Sequence, residues 1–279
     1  MSVPVLVTTV ADLRRALAPL RKDKIALVPT MGALHEGHLS LVAAARARTP
    51  HVAVSIFVNP AQFAPHEDFG SYPRTLEADR EKLVAADATL IFAPTAREMY
   101  PDGFATTISV KGPASGLETD FRPHFFDGVA TIVAKLLTAA LPDYALFGEK
   151  DYQQLLVVRR LVTDLNLPVE IIAVPIAREP DGLAMSSRNA YLSAAERKIA
   201  GQLNLILKDV IAHLKNGMPV ADVPAFGAAA LKAAGFDSVD YVALRDAETL
   251  ALVSGLERPA RLLAAAKIGK TRLIDNMAV

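Results

Sequence analysis

Two histidines three residues apart, in the run Pro29-Thr30-Met31-Gly32-Ala33-Leu34-His35-Glu36-Gly37-His38, are the side chains of this sequence best placed to do chemistry. The run follows the short apolar stretch Ile25–Val28 and precedes Leu39–Arg48, whose composition favours a helix with a basic end. It thus sits past the carboxyl end of a strand, where open α/β sheets bind ligands. Gly32 and Gly37 let a ligand approach the backbone. The first turn of the helix offers unpaired N–H groups and a positive dipole end, an anion site. In helical geometry His35 and His38 share one face. Two imidazoles aimed at a phosphate donate hydrogen bonds to charge that grows in a transition state. The helix dipole lowers their pKa and a bound polyphosphate raises it, so their protonation is expected to follow ligand binding. The competing role is that of surface or capping residues, which suits a lone histidine better than this pair. No Gly-Lys-Ser/Thr follows, so the run is not a Walker loop, and G-x-G-x-x-G is absent. His-x-x-His without an HEXXH-type Glu and a third ligand is a weak metal signal.

Two further segments carry phosphate-directed residues. In Leu146-Phe147-Gly148-Glu149-Lys150-Asp151, again past a strand, Gly148 permits close approach and Lys150 can reach a phosphate. Asp151 can accept from a ribose hydroxyl or orient Lys150. In Met185-Ser186-Ser187-Arg188-Asn189 the hydroxyls and the guanidinium fork suit phosphate oxygens. A mobile loop there would exclude water on closing. Gln62 and Gln154 offer amides with donors and acceptors that fit a small hydroxy acid. His51, His66 and His213 read as surface or packing residues without a role.

The elements that must position these side chains alternate. Helical character at 39–48, 76–86, 129–140 and 153–165 is interleaved with strand-like runs at 25–28, 52–58, 89–92, 144–147 and 169–175. That grammar predicts an α/β fold, a Rossmann-like, mainly parallel sheet with helices on both faces. Pro, Gly, Ser and Asn gather in 178–193, which reads as a loop or hinge. Beyond it a long helix over Ala194–Lys215, a second near 223–234, and short strands at 239–244 and 261–266 predict a smaller α+β C-terminal domain. The division expected is residues 1–177 and 178–279.

Composition excludes several classes. Of 279 residues 52% are hydrophobic, enough to bury a core, so intrinsic disorder is excluded. Lys+Arg and Asp+Glu stand at 30 each, which gives no general attraction to nucleic acid or anionic lipid. There is no Cys, hence no disulfide, thiolate nucleophile or zinc–thiolate site, which suits a reducing cytoplasm. Neither a signal peptide nor an apolar run of membrane-spanning length is apparent, so no membrane association is expected.

The segments PTMGALHEGHLSL, SIFVNPAQF, EDFGSYPRT, FGEKDYQQL, DGLAMSSRNAYLS and KTRLIDN, in that order over nearly the whole chain, resemble the pantoate–β-alanine ligase (pantothenate synthetase) family. The resemblance implies a Rossmann-like domain with a smaller C-terminal one, usually as a homodimer in the cytoplasm. It implies the joining of pantoate to β-alanine with ATP and Mg2+, through pantoyl adenylate, with release of AMP and pyrophosphate. Carried over by position, His38 matches the residue assigned as proton donor, and Met31, Gly32, Ala33, Leu34, His35, Glu36, Gly37 and His38 form the ATP-binding loop. Gly148, Glu149, Lys150, Asp151, Met185, Ser186, Ser187 and Arg188 match other nucleotide contacts, as does Ala177 through its backbone. Gln62 matches a pantoate and β-alanine contact and Gln154 another pantoate contact. The family run Arg-Pro-Gly-His-Phe departs here to Arg122-Pro123-His124-Phe125, so no role passes to His124. Acidic residues near Asp79 assist Mg2+ in some members, but Ala78 and Lys82 leave the metal ligands here unassigned. Rival readings are an HxGH nucleotidyltransferase acting on a phosphate ester, a catalytically silent nucleotide-binding module, and an NAD-dependent oxidoreductase, which the missing glycine fingerprint disfavours.

Overall fold

The computed structural model describes residues 3–64 and 67–279, so His66 lies outside the described residues. Strands β1 (Val5–Val7), β2 (Ile25–Thr30), β3 (His51–Ile56), β4 (Leu90–Phe92), β5 (Tyr144–Gly148) and β6 (Glu170–Val174) form one sheet in the order β1-β4-β3-β2-β5-β6. Every pairing in it is parallel. The chain leaves β2 toward β3 and β4, then returns to lay β5 on the other side of β2. The order therefore reverses between β2 and β5, and a crevice opens there beyond the strand ends. β2 pairs with β3 along its whole length, Ile25 to Thr30, but with β5 only at Ala26–Tyr144 and Leu27–Ala145.

Helices α1 (Val10–Leu17), α2 (Glu36–Arg46), α3 (Leu76–Ala85), α4 (Ala96–Met99), α5 (Glu118–Phe121), α6 (Phe125–Ala140) and α7 (Tyr152–Asp164) follow the strands. Alternation along β2 divides the core in two. Ile25 and Leu27 join Leu13, Val133 and Leu155 from α1, α6 and α7. Ala26 and Val28 join Leu41, Val42 and Leu83 from α2 and α3. Both faces of the sheet are thus covered, as a parallel sheet requires. Helix α6 starts earlier than its sequence periodicity suggests, at Phe125. Within it, a Cβ on Gly128 would stand 2.2 Å from the Ala61 carbonyl oxygen, so only glycine lets α6 lie against the turn Pro60–Gln62.

The rest of the chain builds a second layer. Strands β7 (Ser238–Asp246), β8 (Ala260–Ile268) and β9 (Thr271–Ala278) form an antiparallel sheet in sequence order. Helices α8 (Ala194–Ala200), α9 (Gln202–Lys215) and α10 (Val223–Ala233) accompany it. Leu203, Leu207, Leu231, Leu262 and Ala264 form its core, while Leu263 belongs to the core of the first layer. The single helix expected over Ala194–Lys215 is two helices. At Gly201 the absent Cβ makes room for the Asp181 carboxylate, which would otherwise lie 2.6 Å away, and the helix is interrupted there. The hinge segment is also more ordered than its composition suggests: Arg178 bridges to Ala184, and Ser187–Tyr191 form a 3-10 turn. Among the described residues no helix is long and apolar enough to cross a membrane.

Candidate active site

The run after β2 leaves the strand at Thr30 and turns through Ala33, whose φ of 50° lies in the left-handed region. That conformation is held by Asp79 from α3, fully buried at 0% exposure. Its two oxygens accept from the N–H groups of Ala33 and Leu34 at 2.9 and 2.8 Å. Lys82 completes the brace by donating to the Leu34 carbonyl at 2.6 Å. Leu34 itself is a core residue, 2% exposed.

His35 caps α2. Its Nδ1 accepts from the Gly37 N–H at 3.1 Å, and the His38 Nδ1 accepts from the His35 N–H at 3.3 Å. Gly37 is required by this packing, since a Cβ there would meet the His35 ring at 2.8 Å. The rings lie 4.1 Å apart, centroid to centroid. A ring nitrogen that accepts from a backbone N–H carries no proton, so in each neutral imidazole the proton sits on Nε2. Burial, followed by the charges of Lys150 and Lys82, lowers the His35 pKa to about 4. Burial, then His35 and Lys150, lowers that of His38 to about 3. Both rings are therefore neutral at pH 7. Capping occupies Nδ1 of each ring and leaves Nε2–H to donate.

Lys150 lies in the 3-10 turn Glu149–Asp151 after β5, with its Nζ 3.8 Å from Asp151. Arg261 of β8 donates to the Glu149 carboxylate at 3.0 Å. The serine-rich bend reaches back across the crevice. Ser187 Oγ donates to the Ala33 carbonyl at 3.1 Å, and the Met185 N–H donates to the Ala177 carbonyl at 3.0 Å. Arg188 donates to both oxygens of Asp68, at 3.1 and 2.9 Å. Gln62 is anchored at both ends: Asn59 donates to its side-chain oxygen at 2.8 Å, and Arg122 donates to its backbone oxygen at 2.9 Å. Tyr100 in turn donates to Asn59 at 2.7 Å. Among the described residues the side-chain amide nitrogen of Gln62 has no hydrogen-bond acceptor.

These groups meet in one cleft of about 1140 Å3. Met31, His35, Gly37, His38, Gln62 and Gly148 line it, as do Lys150, Asp151, Gln154 and Ala177. Met185, Ser186, Ser187 and Arg188 complete the set. Gly32, Ala33, Leu34, Glu36 and Glu149 do not line it; they shape the loops behind it. His51 pairs with Asp23 at 3.3 Å and His213 with the Asp209 carbonyl at 3.0 Å, both outside the cleft. Sequence reasoning did not find the bracing roles of Asp79, Asn59, Arg122 and Asp68. An acidic residue in a charged helix such as α3 gives no sign that it is buried.

Comparison with known proteins gives the same answer from another direction. The family model for pantoate–β-alanine ligase matches residues 5–278. The chain belongs to the pantoate–β-alanine ligase family. Among curated members, pantothenate synthetase of Nitrobacter hamburgensis is 58% identical over 280 residues, covering 99% of each chain. That of Nitrobacter winogradskyi is 59% identical with the same coverage. The crystal structure of pantothenate synthetase from Thermus thermophilus superimposes with a TM-score of 0.92 at 48% identity, over 98% of both chains. Pantoate–β-alanine ligase from Francisella tularensis, in complex with βγ-ATP and β-alanine, aligns with a TM-score of 0.84 at 34% identity, over 98% of this chain and 97% of its own.

Proposed function

We propose that this cleft joins pantoate to β-alanine in two steps, with ATP as the activating substrate. A carboxylate is a poor acylating agent until one of its oxygens becomes part of a leaving group. The pantoate carboxylate attacks the α-phosphorus, expelling pyrophosphate and forming pantoyl adenylate. The β-alanine amine then attacks the activated carbonyl, and AMP leaves as pantothenate forms. The Nε2–H groups of His35 and His38, with Lys150, face the charge that develops on the phosphate oxygens. Gln62 and Gln154 hold the hydroxy acid, and Ser186, Ser187 and Arg188 close on the nucleotide. Residues 1–177 carry the nucleotide and pantoate sites, and 178–279 close over them.

The observation that supports this reading best is the convergence of three chain-distant segments on one crevice at the sheet's switch point, with Ser187 bonded to Ala33. Among the described carboxylates lining the cleft only Asp151, 3.8 Å from Lys150, is without a hydrogen bond, which is too few for a protein-held divalent ion. Both Asp79 oxygens are taken by backbone N–H groups, Glu67 by Arg122 and Asp68 by Arg188. Among the described residues no group of three His, Asp or Glu could hold a metal. Mg2+ is accordingly assigned only to the triphosphate that it accompanies. A homodimer in the cytoplasm completes the proposal. Sedimentation at working concentration tests the dimer.

Product analysis with ATP, Mg2+, pantoate and β-alanine, each omitted in turn, tests the reaction. AMP and pantothenate should appear only in the complete mixture; a nucleotidylated product would favour a transferase instead.

A further inference from the structure

Strand β9 ends the second sheet far along the chain from β5, yet it touches the phosphate-directed lysine directly. Asn276 is 2% exposed, and its side-chain amide nitrogen donates to the carbonyls of both Glu149 and Lys150, each at 2.9 Å. Its side-chain oxygen accepts from Arg261 Nε at 2.7 Å, and its backbone N–H donates to Asp275 at 2.7 Å. Arg261 also donates to the Glu149 carboxylate at 3.0 Å, and its guanidinium lies 4.1 Å over the Tyr152 ring. The short turn carrying Lys150 is therefore gripped by its main chain from one side and by its neighbouring side chains from the other. Simple cohesion between the layers does not need this arrangement. The adjacent pair Arg178–Asp275, with bonds of 2.7 and 2.9 Å, already ties the loop to β9 without touching Lys150.

We propose that Asn276, oriented by Arg261, is a positioning residue that fixes the Lys150 turn so that the ammonium group is directed at the triphosphate. The proposal rests on the phosphate role given to Lys150 above. A lysine is a flexible point charge, so the direction of its charge depends on where its backbone is held. Asn276 borders the cleft, but both ends of its side chain are engaged by protein groups, so it acts through Lys150. Its loss should appear in ATP affinity and leave pantoate alone.

The test is a double-mutant cycle on the full chain, with KM for ATP and for pantoate, kcat, and thermal midpoint measured for Asn276→Ala, Lys150→Ala and the double variant. Asn276→Ala should raise the KM for ATP roughly five- to tenfold, the weight of one or two neutral hydrogen bonds, with the KM for pantoate within about twofold. In the Lys150→Ala background the same substitution should cost nothing further, since coupled residues are non-additive. Asn276→Asp keeps the shape and the Arg261 contact but sets oxygens against two carbonyls, so it should reproduce the effect if Asn276→Ala fails to fold. Additive losses, or equal loss of ATP and pantoate affinity, would overturn the proposal. If Lys150→Ala raises the KM for ATP while both Asn276 variants leave it unchanged, the clasp alone falls. If Lys150→Ala itself leaves it unchanged, the phosphate role falls, and the clasp with it.

Discussion

The imidazole pair makes a prediction that neither capping nor catalysis alone would make. Because each Nδ1 accepts from a backbone N–H, both rings should appear as Nε2–H tautomers in 15N spectra at pH 7; an Nδ1–H signal from either would contradict the geometry. The linkage follows from the same burial. An unfolded histidine titrates near its ordinary value of about 6.5, whereas the folded values are about 4 and about 3. Below the unfolded value the unfolded chain binds more protons, so the contribution of both rings is complete at neutral pH and lost as pH falls through the folded values. The urea midpoint should decline from about pH 6.5 downward, and His38→Gln should flatten that decline. In catalysis, His38→Ala should lower the rate of pantoyl adenylate formation about 100- to 1000-fold, the range for one lost transition-state donor. ATP binding measured by calorimetry should change far less; equal losses would make His38 a binding residue only.

Between residues and molecule stand the elements that aim the side chains, and their legibility in the sequence was uneven. The alternation that gave β2, β3 and β5 is a strong signal because buried parallel strands are continuous apolar runs. β1, with three residues, is too short to stand out. β9 interleaves Arg272, Asp275 and Asn276 with apolar residues, and all three polar side chains are engaged elsewhere in the fold, so no period of two was visible. The loop histidines, Lys150 and Arg188 were recognisable by type and spacing, whereas Gln62 was tied to the site only through the family resemblance. Their supports were not, because Asp79 and Asn59 matter only through burial and partners that the fold brings to them. Substituting the supports tests their weight. Asp79→Ala leaves the Ala33 and Leu34 N–H groups without acceptors, and should cost about 2–4 kcal/mol by denaturant unfolding. Gly128→Ala places a methyl where the Ala61 carbonyl stands, 2.2 Å away. The strain should cost about 1–3 kcal/mol and, by displacing the Pro60–Gln62 turn, raise the KM for pantoate more than that for ATP.

On the scale of the whole molecule, the two layers are joined by buried charge as well as by the apolar contact at Leu263. Glu118 of α5 accepts from Arg272 of β9 at 2.8 and 2.9 Å and from Tyr241 of β7 at 2.7 Å. Burial, with the Glu118 charge beside it, raises the Tyr241 pKa well above its ordinary value. Removing the carboxylate leaves Arg272 with Asp240 as its remaining anion and Tyr241 without its acceptor, so Glu118→Ala should cost about 1–3 kcal/mol. It should also split a single calorimetric transition into two, which an unchanged ratio of calorimetric to van't Hoff enthalpy would refute. The fork between β2 and β5 has a different consequence. The strands part after Leu27 and Ala145, so the ladder of main-chain bonds, rather than any side chain, sets the width of the slot at its root. Replacing side chains there cannot turn it into a wider sieve. On the role proposed for Gln62, re-tailoring the enzyme for bulkier acids must instead proceed through the wall that Gln62 and α6 provide, which is built on a contact that a single methyl group would disturb.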